Sequence, residues 1–254
     1  LYSKEVFIMI KVGVADYGLN CWYGALYDYE QRFELIKNAG YDGLERLEAR
    51  SASEAVEISA SARRLGLDFA TCRGGTPMET LRWSAALGKK YIWVEAQDKD
   101  FSVFCRQANY QIAAAKSYGV NVALHNHLGL TVETKPQLDE FMKNCPECKL
   151  ILDVGHLSAA GGDPVQTVKE YADRLAAVHL KDYVYKDRSA KYWWDQLRFC
   201  ELGAGVMGEQ NIKVIEALKS VGYSGWLLVE HDTHLREPAE DLAVSREYIR
   251  KLGI

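Results

Sequence analysis

The sequence predicts an α/β fold, a single (β/α)8 or TIM barrel over residues 1–254, and three observations support this. Short apolar runs alternate with segments of helical period eight times along the chain. With 254 residues, 48% hydrophobic and 26% charged, the chain is long enough to bury one large core. No glycine-rich dinucleotide fingerprint or phosphate loop follows the first run, which removes the usual reason to prefer a doubly wound sheet.

The first strand is read at residues 11–16, followed by an aromatic loop with Tyr17, Trp22, Tyr23 and Tyr27 and a helix over 29–38. Gly40 closes that helix and the second strand occupies 43–47. A helix over 53–65, with Ser53 as its N-cap and Gly66 as its stop, precedes strand three at 67–72. The helix over 78–87 ends at Gly88 before strand four at 91–95, and the helix over 102–118 ends at Gly119 before strand five at 120–124. Helices over 135–144 and 164–173 precede strands six (150–152) and seven (176–178). After a long connection come a helix over 211–220, strand eight at 226–229 and a closing helix over 236–252.

A formal net charge of −4 argues against a protein built to neutralise nucleic-acid phosphates and points to a small-molecule substrate. No apolar run reaches the length of a membrane span, and the start lacks a signal-peptide cleavage pattern, so a cytoplasmic protein is expected. Six scattered cysteines in a chain of this size read as reduced thiols. Cys145 and Cys148 have zinc-like spacing but lack a second ligand pair, so a loop between helix and strand is expected there.

The chemistry gathers where strands stop. Strand five runs into His125-Asn126-His127, strand six into Asp153, strand seven into His179-Leu180-Lys181-Asp182, and strand eight into Glu230-His231-Asp232. All six histidines lie between residues 125 and 234, five of them on or beside a strand end. Such groups are costly to desolvate unless something pairs with them, and a barrel carries its active site at the carboxyl ends of its strands. Asp153, His179 and Glu230 would be neighbours on that rim as ligands of one metal. Strand five would add either His125 or His127, two residues apart, and alternation along the strand does not choose between them. A mixed nitrogen and oxygen set suits Mn²⁺, Co²⁺, Zn²⁺ or Fe²⁺ better than Ca²⁺.

These residues resemble a known family. Leu124 to Gly129 with Thr131, Glu133 and Thr134, then Leu152-Asp153-Val154-Gly155-His156 with Gly161-Gly162-Asp163, then His179 to Asp182, then Gly222 to Glu230, are similar to the sugar isomerase/epimerase-like, or xylose-isomerase-like, barrel superfamily. The resemblance covers residues 120–254 well; before that it lies mainly in the strand–helix rhythm and in residues 40–45. Within the superfamily the pattern is most similar to the inosose dehydratases of myo-inositol breakdown. Sugar epimerases of the superfamily carry a glutamate at the end of strand five as ligand and base, and the matching position here is His125, which favours His125 as the ligand and elimination over epimerisation. Asp153, His179 and Glu230 match metal ligands of the superfamily, and His156 matches a residue that faces substrate oxygens.

The resemblance thus implies a divalent-metal-dependent lyase that removes water from a keto-inositol such as 2-keto-myo-inositol, or from a related keto sugar, through a metal-stabilised enediolate. The alternative is a ketose isomerase or 3-epimerase. A DNA-repair endonuclease on the same barrel needs more histidine and carboxylate ligands than this chain offers. Mn²⁺ or Co²⁺ is the expected cofactor, with Zn²⁺ and Fe²⁺ next. His127 or Glu230 would serve as base, and His156 or Lys181 as acid or enolate stabiliser.

Glu45, Trp22 and His156 are the candidate substrate contacts. Plainer roles stand beside these: a backbone hydrogen bond for His127, an ion pair Lys181–Asp182 that orients His179, a pairing of Glu45 with Arg46 or Arg73, and supporting or surface roles for Glu95, His231 and His234. The aromatic stretch over 183–199 is read as a lid or a subunit contact, so a homo-oligomer stays open. The other partner expected is a polyol or keto-sugar substrate, with neither nucleic acid nor membrane.

Overall fold

A computed structural model describes residues 10–24, 28–234 and 236–254. Tyr27 of the aromatic loop and residues 1–9 of the opening run lie outside the described residues. Eight parallel strands form a nearly closed barrel: β1 (Lys11–Ala15), β2 (Gly43–Glu48), β3 (Asp68–Arg73), β4 (Tyr91–Trp93), β5 (Asn121–His125), β6 (Lys149–Asp153), β7 (Leu175–Leu180) and, after an inserted hairpin, β10 (Trp226–Glu230). The order around the sheet is β3-β2-β1-β10-β7-β6-β5-β4. Where its two ends meet, the Thr71 hydroxyl donates to the Tyr91 carbonyl at 2.6 Å.

Helices α1 (Tyr17–Trp22), α2 (Tyr29–Asn38), α3 (Ala52–Arg64), α4 (Pro77–Ala86), α5 (Phe101–Lys116), α6 (Lys135–Asn144), α7 (Val154–Ala159) and α8 (Pro164–Glu170) connect the strands, with α10 (Gly208–Ser220) and α11 (Pro238–Arg250) near the end. Local chemistry explains their starts. Ser51, rather than Ser53, caps α3 by accepting from the Glu54 amide at 3.2 Å, and the Ser53 hydroxyl pairs with Ser51 instead. Thr76 and Asp100 cap α4 and α5 in the same way. The closing helix starts at Pro238, two residues later than expected, because proline suits a first turn, where its missing N–H costs nothing.

Alternation along each strand sorts its residues into two layers. Val122 and Leu124, Leu150 and Leu152, Val178 and Leu180, and Leu227 and Val229 pack beneath the helices. Ala123, Ile151, Ala177 and Leu228, on the opposite parity, form a separate cluster inside the barrel. Two residues beyond these four stand His125, Asp153, His179 and Glu230, so the pleat aims all four into the barrel mouth.

The connection after β7 contains an unexpected antiparallel hairpin, β8 (Asp182–Tyr185) with β9 (Leu197–Cys200), and a single helical turn, α9 (Trp193–Gln196), at its tip. The six cysteines are free thiols. Cys145 and Cys148 sit in the turn between α6 and β6, where the Arg174 guanidinium donates to both carbonyls. Among the described residues, no helix is long and apolar enough to cross a membrane.

Candidate metal and catalytic site

The structure brings His125, Asp153, His179 and Glu230 together: each offers one ligand atom, and the four atoms lie within 4.8 Å of one another. His179 Nδ1 is 2.7 Å from Glu230 Oε2 and 3.8 Å from Asp153 Oδ2, and His125 Nε2 is 3.4 Å from Asp153 Oδ2. Asp153 is fixed from two sides. Its Oδ1 caps α7 by accepting from the His156 amide at 2.8 Å, and its backbone exchanges two hydrogen bonds with the buried Asn126 side chain, at 2.9 and 3.0 Å. That leaves Oδ2 facing the cluster.

His125 Nε2 is buried without a hydrogen-bond partner, an arrangement that is costly unless a cation takes its lone pair, whereas Asp153 Oδ2 has the Lys181 ammonium at 3.1 Å as its charged neighbour. Two nitrogen and two oxygen donors converging on one point fit a divalent first-row metal.

Glu45 is 1% exposed and touches neither expected arginine through a hydrogen bond. Arg73 pairs with Glu48 at 3.5 Å, and Arg46 lies over the Trp93 ring. Instead Glu45 Oε1 accepts from His179 Nε2 at 3.1 Å and from the Trp93 indole N–H at 3.2 Å. Of the two readings of Glu45, a substrate contact or a pairing with Arg46 or Arg73, this corrects the pairing and places Glu45 behind His179. Burial alone would depress the His179 pKa, but Glu45 and Glu230 push it up to about 10, so the imidazole is protonated in the metal-free site. A carboxylate that fixes the second nitrogen of a metal-binding imidazole typically accounts for about 10–100-fold in affinity. Glu45→Gln is accordingly expected to weaken Mn²⁺ binding by about that factor, measured by calorimetric titration; unchanged affinity would count against this role.

Lys181 is 0% exposed, and its ammonium lies 3.1 Å from Asp153 Oδ2, 3.0 Å from Glu230 Oε2, 2.9 Å from Asp232 Oδ1 and 2.9 Å from His156 Nε2. Burial opposes its charge, yet Asp153, Asp232 and Glu230 hold its pKa above the ordinary lysine value. In turn the ammonium overrides desolvation and holds Asp153 and Glu230 well below the usual carboxylate range. Gly155 makes room for it: a Cβ there would lie 2.6 Å from Lys181 Cβ.

The expected Lys181–Asp182 pair does not form. Successive residues point to opposite faces, and Asp182 accepts backbone N–H bonds from Tyr183, Gly203, Gly205 and Met207, which organises the loop before α10.

His127 lies beyond the end of β5. Its Nδ1 is 2.7 Å from the Leu128 carbonyl, and its ring lies 3.7 Å from that of His156 with a 39° tilt. Desolvation and the nearby His156 push its pKa down to about 4. Trp193, from the tip of the hairpin, meets both rings edge-on at 5.6 and 5.5 Å and so covers the pair. Trp22 is 45% exposed and stands edge-on to His234 at 6.4 Å. Three supporting residues escaped the sequence reading: Asn126, Trp93 and Asp232. Asn126 and Asp232 at least stood in the runs after strands five and eight; nothing in the sequence marks Trp93.

The chain belongs to the xylose isomerase-like TIM barrel family, whose profile matches residues 33–252. Among curated proteins it is similar to the inosose dehydratase of Clostridium perfringens, 30% identical over 173 residues that cover 64% of this chain and 57% of that protein. The chain spans about half the length of such relatives.

In fold alone it is similar to the probable 3-DHS dehydratase involved in petrobactin synthesis from Bacillus anthracis, with a TM-score of 0.73, 12% identity and coverage of 95% of this chain and 99% of that one. A 3-keto-D-glucoside 4-epimerase from E. coli gives a TM-score of 0.69 at 16% identity, covering 96% of this chain and 98% of that one.

Proposed function

We propose that the chain is a divalent-metal-dependent hydro-lyase that removes water from a keto-inositol such as 2-keto-myo-inositol or from a related keto sugar. The observation that carries this reading is the closely apposed His127–His156 pair, joined to Lys181 and set beside the four-residue cluster. His125, Asp153, His179 and Glu230 would hold the cation, with Mn²⁺ or Co²⁺ the first choice. When bound, the metal supplies Lewis acidity to substrate oxygens.

The two histidines have complementary tautomers. A carbonyl oxygen only accepts, so His127 Nδ1 carries the hydrogen toward Leu128 and Nε2 keeps its lone pair. His127 is therefore neutral at pH 7 and is the group that takes the proton from carbon. An ammonium only donates, so His156 Nε2 accepts from Lys181 and its buried Nδ1, which has no protein partner, carries the hydrogen. His156 Nδ1–H gives a proton to the departing hydroxide, which leaves as water, and the two electrons of the broken C–H bond become the new double bond. The proton that His127 took from carbon passes on to restore His156, while Lys181 stays charged and holds His156 Nε2 and Glu230 would orient the site as a ligand. Trp193 limits water access from above.

Support also comes from the inosose dehydratases among the relatives and from the dehydratase of similar fold. The second reading, a ketose isomerase or 3-epimerase, draws on the epimerase of similar fold. Histidine at position 125 disfavours it, because the sugar epimerases that the sequence resembles use a carboxylate on each side of the carbon they invert.

Mn²⁺-loaded protein given 2-keto-myo-inositol should develop the absorbance of a conjugated enol-dione. His127→Asn should lower kcat by about 10²–10⁴-fold with metal content unchanged. Absence of that signal, together with deuterium exchange and epimer formation from a ketose in D₂O, would favour the isomerase.

A further inference from the structure

A second cluster lies on the far side of β10. His231, His234 and Asp241 are 2%, 6% and 1% exposed, and one ligand atom from each lies within 4.8 Å of the others. We propose that they form a separate divalent-cation site, of the type that takes Zn²⁺ or Co²⁺, and that it pins the segment leaving β10 to α11.

Alternation separates this cluster from the barrel mouth: Glu230 points inward, whereas His231 points toward α11, where its Nε2 lies 3.4 Å from the Ser245 hydroxyl. His234 Nδ1 and Asp241 Oδ2 are 3.1 Å apart, a hydrogen bond that a cation between them would replace with a small widening, since two tetrahedral ligands on bonds of about 2.1 Å stand roughly 3.4 Å apart. The two imidazoles meet edge to face, with centroids 4.8 Å apart and planes at 89°, so they present nitrogens from nearly perpendicular planes. The other Asp241 oxygen is anchored by Arg236 at 3.0 Å, and Arg236 is itself tied to Glu201 at 2.9 Å. One carboxylate oxygen held by a neighbour while its partner faces inward is how supporting groups orient a metal ligand.

A purely hydrogen-bonded network does not account for His231 Nδ1, which is buried with no partner. A cation would give that nitrogen a partner. Two nitrogens and one oxygen favour a borderline transition metal over Ca²⁺ or Mg²⁺. The role follows from what the segment touches. The His231 carbonyl presses against α1 so closely that a Cβ at Gly18 would lie 1.9 Å from it, and the next residue, Asp232, reaches Lys181. A cation on the α11 side would therefore fix Asp232 relative to Lys181 from outside the barrel.

The test is a Co²⁺ titration of untagged, metal-free protein, followed by calorimetry and by the visible d–d absorption of bound Co²⁺. Asp241→Asn and His234→Gln are each expected to remove one bound equivalent relative to wild type, together with the absorption of a His/carboxylate site and the rise in Tm that goes with it. His179→Ala, which strikes the barrel-mouth cluster, should leave this equivalent in place. Binding and spectra in both Asp241→Asn and His234→Gln that match wild type, with circular dichroism showing folded proteins, would overturn the proposal. So would a wild-type spectrum that His179→Ala abolishes entirely.

Discussion

His179→Ala is expected to lose the metal equivalent bound at the barrel mouth, and Glu230→Gln to do the same with almost no change of shape. Each removes one donor from a set of four whose atoms share a space 4.8 Å across. The alanine variant also leaves Glu45 and Glu230 facing each other without the imidazolium between them, so its metal-free form should be less stable as well. The glutamine variant keeps the volume and so separates loss of the ligand from loss of the fold. Metal content after dialysis against Mn²⁺ is the readout, and a full equivalent retained at this site in either variant would contradict the assignment.

The wild-type protein should show a matching pH dependence. With its pKa near 10, His179 carries a proton in the metal-free site at neutral pH, and an incoming cation must expel it. Affinity should therefore climb by up to about tenfold per pH unit between pH 7 and 9. Stability of the metal-free protein has the opposite sign: the contribution of the raised imidazole is fully present below about pH 6.5 and fades as pH rises toward 10.

Why those four residues could be picked out from sequence is visible in the strands. Each follows an apolar run, and each stands two places beyond a residue that fills the barrel interior, so local alternation carries the information. The choice between His125 and His127 was not local, since parity treats them alike and only the family resemblance favoured His125; the structure separates them by placing His125, the last residue of β5, in the four-residue cluster and His127 against His156. Glu45 was harder still. Its neighbour Arg46 offers an obvious partner in sequence, while its actual partner, His179, is 134 residues away and meets it across the closed barrel.

Asp182 was misassigned for a related reason. Adjacency in sequence suggested an ion pair with Lys181, whereas the pleat turns the two residues to opposite sides. The hairpin after β7 was hidden by its aromatic composition, which is equally compatible with a lid; its tip does place Trp193 over the histidine pair.

Lys181→Met should produce the most diagnostic change in stability. Three carboxylates, Asp153, Glu230 and Asp232, contact one fully buried ammonium. Methionine keeps the packing against Phe199, over which the ammonium now lies, but removes the charge that balances them. Leaving buried carboxylates unpaired costs about 3–5 kcal/mol, which for a chain of this length corresponds to a fall in Tm of roughly 10 °C. Lysine charge is retained throughout the neutral range, since its pKa is raised, so this deficit should shrink at strongly alkaline pH, as the wild-type lysine loses its proton, and on the acid side, as the unpaired carboxylates of the variant gain theirs.

A bound cation would replace the ammonium as partner of Asp153 and Glu230. Saturating Mn²⁺ is therefore expected to raise the Tm of Lys181→Met by more than it raises that of wild type, and the variant to bind the ion more tightly because no internal ammonium competes for the same two oxygens. Thermal denaturation of both proteins with and without Mn²⁺ decides the matter. Equal Tm gains in the two proteins would mean that the lysine and the cation do not share those oxygens, and the geometry drawn for the barrel mouth would have to be abandoned.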